Sequence, residues 1–137
     1  MSVSFGSPYN PSAFKVLILG GGELGKELVI ELQRLGIETH VCDNKSNSPA
    51  GQVSHYSYHI NMFDYRQLSN LIMNVQPNCI VPEVESFNMN ALKEAELLGY
   101  KVFPNAQATE ITMNRKLIRD LASQYCRTTN YLYACVI

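Results

Sequence analysis

Lys15-Val16-Leu17-Ile18-Leu19 runs directly into Gly20-Gly21-Gly22. A short, almost wholly apolar run that stops at glycines reads as a strand buried on both faces of a parallel sheet. The next residues carry helical periodicity. From about Glu23 to Leu35, the residues Leu24, Leu28, Leu32 and Leu35 recur at i, i+4, i+8 and i+11 and predict one apolar stripe. Glu27, Glu31, Gln33 and Arg34 supply a wet side, and Gly36 is the expected C-terminal stop. Strand, glycine turn and helix in that order commit the chain to βα units joined by right-handed crossovers.

The alternation continues. A second strand is expected near Glu38 to Cys42, ending at Asp43, and the Asn, Lys, Ser, Pro and Gly of residues 44–52 read as a loop. A short strand is predicted near Tyr58 to Asn61. Asp64 then opens a helix with Leu68, Leu71, Ile72 and Val75 at i, i+3, i+4 and i+7, ended by Pro77. Cys79-Ile80-Val81 is a further buried strand stopped by Pro82. A helix follows from about Phe87 to Leu98, closed by Gly99, and then a strand over Lys101-Val102-Phe103, stopped by Pro104. Helical pieces near Ala106 to Thr112 and Arg115 to Tyr125 complete the pattern, and Thr128 to Ile137 reads as an isolated strand. The fold class is therefore α/β, a Rossmann-like open parallel sheet with helices on both faces. Residues 1–14 read as a flexible N-terminal arm, rich in Ser, Gly, Pro and Asn. The last strand, with no turn or helix after it, reads as the opening of a further domain.

Composition narrows the function. The 137 residues carry a net charge of −1, with charged residues at 17%. That excludes a basic nucleic-acid footprint and a polybasic membrane patch. No apolar run approaches the ~18 residues of a membrane span, and the N-terminus lacks the charged and apolar regions of a signal peptide. The cysteines at 42, 79, 126 and 135 form no C-x-x-C pair. Zinc-knuckle and thioredoxin-type motifs are thus absent, and free thiols in a reducing, cytoplasmic compartment are expected. His55 and His59, with Tyr56 and Tyr58 between them, lack a third nearby ligand and are not read as a metal site. Arg34, Arg66 and Lys93 read as solvated helix faces.

Gly20, Gly22 and Gly25 form a G-x-G-x-x-G loop between a strand and a helix. Such a loop turns tightly and lets a ligand approach the backbone, where the helix N-terminus favours an anion. Asp43, at the end of the next strand, would hold a ribose hydroxyl in a nicotinamide enzyme. Glu23 departs from that reading, because a carboxylate inside the loop repels a pyrophosphate. It suits a ligand with an amine or hydroxyls beside a phosphate, or serves only the helix dipole. Glu83, in Pro82-Glu83-Val84-Glu85-Ser86, falls on the same sheet edge if the first and fourth strands are near neighbours.

Several runs together resemble one family. These are Gly20-Gly-Gly-Glu-Leu-Gly-Lys-Glu27 with Gln33-Arg-Leu-Gly36, and His59-Ile-Asn-Met62 with Asp64. Ile80-Val-Pro-Glu-Val-Glu85 and Ala108-Thr-x-x-Thr-Met-Asn-Arg115, with Ile118-Arg119 and Leu121-Ala122, continue the match. The pattern, over about Lys15 to Ala134, is similar to formate-dependent glycinamide ribonucleotide transformylase, an ATP-grasp enzyme of purine synthesis. Cys126-Arg127 stands where that family usually has Leu-Pro, and the pattern is lost from Cys135 onward.

The resemblance implies a pre-ATP-grasp N-terminal domain over residues 15–113 and the start of an ATP-grasp domain over 114–137. It implies that ATP phosphorylates formate to formyl phosphate, which the amine of glycinamide ribonucleotide then attacks. By resemblance Glu23, Leu24 and Glu83 contact the ribonucleotide and Arg115 contacts ATP. No residue of this chain is assigned a catalytic role. The family's groups for ATP and Mg²⁺ would follow position 137, so the chain alone is expected to bind ribonucleotide and to be catalytically inactive. Homodimers are also expected by resemblance. Tyr125, Tyr131 and Tyr133 read as apolar surface meant for the following domain. The alternatives are an NAD(P)-binding oxidoreductase module using Asp43, and a non-catalytic dimerisation fragment.

Overall fold

The computed structural model describes residues 6–125. Five parallel strands, β1 (Lys15–Leu19), β2 (Glu38–Asp43), β3 (Tyr56–His59), β4 (Cys79–Pro82) and β5 (Lys101–Val102), form one sheet in the order β3-β2-β1-β4-β5. Five helices accompany them: α1 (Glu23–Arg34), α2 (Tyr65–Val75), α3 (Met89–Leu97), α4 (Ala106–Met113) and α5 (Arg115–Ser123). This is the expected α/β class. The expected strand of residues 128–137 lies outside the described residues, as do Cys126, Cys135, Tyr131 and Tyr133.

The central strand builds both layers. Successive side chains of a strand point to opposite faces, so Val16 and Ile18 join one core with Val29 of α1, Val41 and Ala50. Leu17 and Leu19 join the other, with Leu68 and Ile72 of α2 and Ala91 and Leu92 of α3. Leu17, Ile18 and Leu19 are fully buried, and each such side chain contributes roughly 1.5–3 kcal/mol.

The predicted stripe of α1 is corrected. Leu24 is 77% exposed and Leu35 76% exposed, while Gly25 and Val29 are the buried residues of the helix. Leu28 and Leu32 pack partly buried beside Val29. The helix turns Gly25 inward because its start must lie close to the end of β1: a Cβ at Gly25 would stand 3.2 Å from the Gly20 carbonyl oxygen. β3 begins at Tyr56, not at Tyr58. It is an edge strand with three of four residues exposed, so its apolar signal is weak and its position is set by pairing, His40 opposite Tyr56. Residues 6–14 run beside the sheet. Gly6 bridges Ala13, the Tyr9 N–H donates to Glu38 Oε2, and the Glu38 N–H donates to the Phe14 carbonyl.

Four helix starts carry a side-chain cap. Asp64, Asn88, Asn105 and Asn114 each accept from backbone N–H groups of the first turn of α2, α3, α4 and α5. That pairs donors a helix cannot satisfy internally. The start of α1 differs. Its cap position is Gly22 and no side chain bonds there.

Candidate functional site

β1 leads to β2 on one side of the sheet, whereas its other neighbour is β4. The crevice at the carboxyl ends of β1 and β4 is therefore the topological switch point, where open α/β sheets hold ligands. The β1–β4 pairing runs to Leu19 opposite Pro82. Gly20-Gly21-Gly22 and Glu83-Val84 thus leave the sheet side by side, and both Glu83 and Val84 donate their N–H to the Leu19 carbonyl, at 2.9 and 3.2 Å.

The glycine loop is shaped by what touches it. Gly20 has φ +110, and a Cβ there would meet Val84 at 2.6 Å and Glu83 Oε2 at 2.7 Å. Its N–H donates to the Cys42 carbonyl at 2.9 Å. Gly22 starts α1, and a Cβ there would stand 3.5 Å from Glu83 Oε1. The Glu83 carboxylate thus lies across the loop beside the positive end of α1, a favourable place for a negative charge. Its Oε2 is buried and has no hydrogen-bond partner. Glu23 stands exposed in the first turn of α1, next to exposed Leu24. The first-turn N–H groups of α1 have no acceptor within the helix. The sequence-predicted residues Gly20, Gly22, Glu23, Leu24, Gly25 and Glu83 therefore converge on one edge. Arg115 does not join them. It is exposed at the start of α5, which packs chiefly on α4.

A groove of about 500 Å³ opens beside the loop, between Gly21, Gly22 and Glu23 and the segment that follows β2. That segment is a strap fixed at both walls. Asp43 Oδ2 accepts from the Gly21 N–H and its Oδ1 from the Lys45 N–H, both at 2.7 Å. The Ala50 N–H returns to the Gly21 carbonyl at 3.0 Å. Asn44 Oδ1 accepts from the Met62 N–H, and the Asn44 carbonyl from His59 Nε2. Asp43 is thereby spent on the backbone, one oxygen to each donor, where the nicotinamide reading needs it on a ribose. The strap's part in the site was not read from sequence. The available signal was an Asp two residues before Lys45, the spacing of a side-chain-to-backbone turn.

His55 and His59 serve structure. His55 Nδ1 accepts from the Thr39 N–H at 3.1 Å, and His59 is held by Asn44. Among the described residues no three His, Cys, Asp or Glu side chains converge as a metal group.

The family model for the ribonucleotide synthetase preATP-grasp domain matches residues 14–113. The chain belongs to this family. A Methanocaldococcus jannaschii protein named formate-dependent phosphoribosylglycinamide formyltransferase is 50% identical to it over 134 residues, covering 96% of this chain and 34% of the relative. An Acinetobacter baumannii protein of the same name is 53% identical over 125 residues, covering 90% of this chain and 31% of the relative. The chain thus spans about a third of the length of the curated relatives it matches. Among solved structures, the Mycobacterium tuberculosis protein described as glycinamide-RNase-transformylase T superposes with TM-score 0.77 at 32% identity, over 80% of this chain and 31% of that one. N5-carboxyaminoimidazole ribonucleotide synthetase from Thermotoga maritima gives 0.73 at 27%, over 80% of this chain and 30% of that one. In this preATP-grasp domain the glycine loop and Glu83 lie inside the matched range, whereas Arg115 lies beyond it.

Proposed function

We propose that this preATP-grasp domain binds glycinamide ribonucleotide at the carboxyl ends of β1 and β4. In a protein of the relatives' full length, the bound amine is formylated from formate and ATP through formyl phosphate. The observation that carries the reading is Glu83. A carboxylate pressed over the glycine loop, with Oε2 buried and unpaired, is matched to a ligand that donates hydrogen bonds, such as ribose hydroxyls or an amine. Glu23 supplies a second acid on the same edge, and the first-turn N–H of Leu24 supplies a donor. The names of relatives at about 50% identity support the same substrate.

The described residues contain no group that fits Mg²⁺. ATP and Mg²⁺ are proposed to be held by the part of the full-length relatives that this chain does not cover, with Arg115 reaching ATP. Residues 15–113 are then the substrate-binding unit, and residues 114–137 begin the next one. Cytoplasmic location and a homodimer complete the proposal. The domain's own contribution is to bind and orient: phosphoryl transfer rests on positioning and charge neutralisation, and the 137-residue chain alone is expected to bind without turning over ATP.

Calorimetric titration tests the reading. Glycinamide ribonucleotide is expected to bind the chain and NADH is not. Glu83→Gln keeps the shape but turns one acceptor into a donor, so ribonucleotide affinity is expected to fall by about tenfold or more. NADH binding that disappears in Asp43→Ala, with no ribonucleotide binding, would replace this reading with the oxidoreductase one.

A further inference from the structure

Helices α2 to α5 each begin on an Asp or Asn whose side chain binds first-turn N–H groups, whereas α1 begins on Gly22 with no such bond. A capped start is anchored, but its donors are spent. An uncapped start keeps its donors, and something else must fix where they point. At α1 the anchor stands one residue earlier. The Gly21 N–H donates to Asp43 Oδ2 at 2.7 Å, and the Gly21 carbonyl accepts from the Ala50 N–H at 3.0 Å. Ser48 closes a third side. Its buried Oγ has no hydrogen-bond partner and lies 2.2 Å from where a Cβ of Gly21 would stand.

Asp43 is itself rigidly placed. It is the last residue of β2, opposite His59 of β3, and its carbonyl accepts from the Ile60 N–H at 3.2 Å. Its Oδ1 accepts from the Lys45 N–H at 2.7 Å. The carboxylate is therefore oriented by the strand behind it and the strap ahead of it, and bonds to a carboxylate are the short, strong kind. Across the loop, Gly20 packs against Val84 and Glu83. The loop is thus held from the β2 side by Asp43 and from the β4 side by Glu83 and Val84. A shift at Gly21 changes the spacing between the first turn of α1 and the Glu83 carboxylate. Binding constellations lose their match when such spacings move by more than about 0.5 Å.

We propose that Asp43 is a positioning residue of the ribonucleotide site. It holds the glycine loop, and with it the open start of α1, at the spacing from Glu83 that the ligand spans, without itself touching the ligand. The inference rests on the ribonucleotide reading above and adds to it a residue that acts through Gly21. In a nicotinamide arrangement an acid at this place turns to the ribose. Here it stays on the loop when the ligand is bound.

Two measurements test this. In the NMR amide spectrum of the wild-type chain, the Gly21 proton is expected well downfield of the other glycine amides, the mark of a short bond to a carboxylate. It is expected to stay there when glycinamide ribonucleotide saturates the site, and to move upfield in Asp43→Asn. By calorimetry, Asp43→Ala is expected to weaken the ribonucleotide by about tenfold, and Asp43→Asn, which keeps one acceptor, by about threefold. When Asp43→Ala is combined with Glu83→Gln, the total loss is expected to be smaller than the product of the two single losses, because both act on the same spacing. An upfield move of Gly21 on ribonucleotide binding, full multiplication of the two losses, or wild-type affinity in both Asp43 variants would overturn the proposal and leave the substrate reading in place. A wild-type chain that binds no ribonucleotide would overturn the substrate reading, and this inference with it. Asp43→Asn keeps the shape of the side chain and the bound-state amide shift is read on wild type, so the test stands even where Asp43→Ala does not fold.

Discussion

Gly20 and Gly21 are neighbours in the chain, yet different atoms exclude a side chain at each. At Gly20 the obstacle is both the backbone, at φ +110, and the pair Val84 and Glu83. Gly20→Ala is expected to destabilise the fold by about 1–3 kcal/mol, the strain of a left-handed backbone, read as a lower urea midpoint with unchanged slope. At Gly21 the obstacle is Ser48 on the strap, so Ser48→Gly is expected to recover part of the stability lost in Gly21→Ala, a coupling measurable by a double-mutant cycle. Cys42 shows another consequence of residue-scale burial. It is fully buried under the loop, and burial, with the nearby Asp43 charge adding to it, pushes its thiol up to about 12. The nucleophile is the thiolate. Labelling at Cys42, followed by peptide mass, is therefore expected to be negligible in the folded chain at pH 8 and rapid in 8 M urea, with unfolding as the limiting step. Cysteines at 42 and 79 within apolar runs already suggested small buried hydrophobes, and Cys42 and Cys79 are free thiols in the structure. The orphan oxygens of Glu83 and Ser48 carried no such mark. An unpaired atom is a property of what surrounds it in space, and no residue near 83 or 48 in sequence reports it.

Among elements, α1 is the exception that locates the site. The other described helices have Asp or Asn caps, and replacing Asn88 by Ala is expected to cost about 1 kcal/mol of stability. Asn88 also donates from Nδ2 to the Phe63 carbonyl, which places the cost toward the upper end. For α1 the same substitution logic reverses. Gly22→Ser would give the helix a cap and change stability by only a few tenths of a kcal/mol. It is expected to weaken ribonucleotide binding more than it alters the melting temperature, because the new hydroxyl would occupy helix-start donors that the proposed ligand needs and would face Glu83. Parallel melts and titrations of that variant check both halves. The elements themselves were largely legible: apolar runs closed by glycine or proline placed the strands, and Gly36 and Gly99 end α1 and α3 with φ of +74 and +93. Four leucines at regular spacing point to the wrong face of α1, because they outweigh Gly25 and Val29 in the pattern. What decides that face is how close the helix start must come to β1, and spacing does not encode this. The composition of residues 44–52 identifies the strap as a loop, but its hydrogen bonds to Gly21 and Met62 join segments far apart in sequence.

At the scale of the molecule, the alternation of strands and helices was enough to imply a parallel sheet, and the order β3-β2-β1-β4-β5 is what makes β1 and β4 adjacent and brings Glu83 to the glycine loop. The opposite end of the sheet holds a polar cluster that sequence gave no reason to assemble. Glu38 and His40 are 3% and 4% exposed and bonded to each other at 2.9 Å. The His40 ring stacks on Tyr56 and Tyr58, with Tyr9, Lys15 and His55 around the pair. Burial holds the His40 imidazole below its ordinary value of 6.5, against the opposing pull of Glu38. For Glu38, burial acts upward but the Tyr9 N–H and His40 outweigh it, leaving the carboxyl below 4.5. Both groups bind fewer protons folded than unfolded, so stability is expected to fall with pH, first below about 6.5 through His40 and again below about 4.5 through Glu38. Urea midpoints between pH 8 and pH 4 check this, and His40→Phe is expected to abolish the first step and to shrink the second, because it removes one of the groups that hold the Glu38 carboxyl low. β1 gives the whole its last constraint. Its neighbouring side chains belong to different cores, so the strand has a parity. Deleting one residue between Lys15 and Leu19 would exchange the two sets, sending each side chain to the wrong layer and drawing the glycine turn back along the sheet. Substitutions there can be compensated by neighbours within one core, but a change of length cannot. Evolution along this segment is therefore expected to proceed by replacement and never by insertion or deletion.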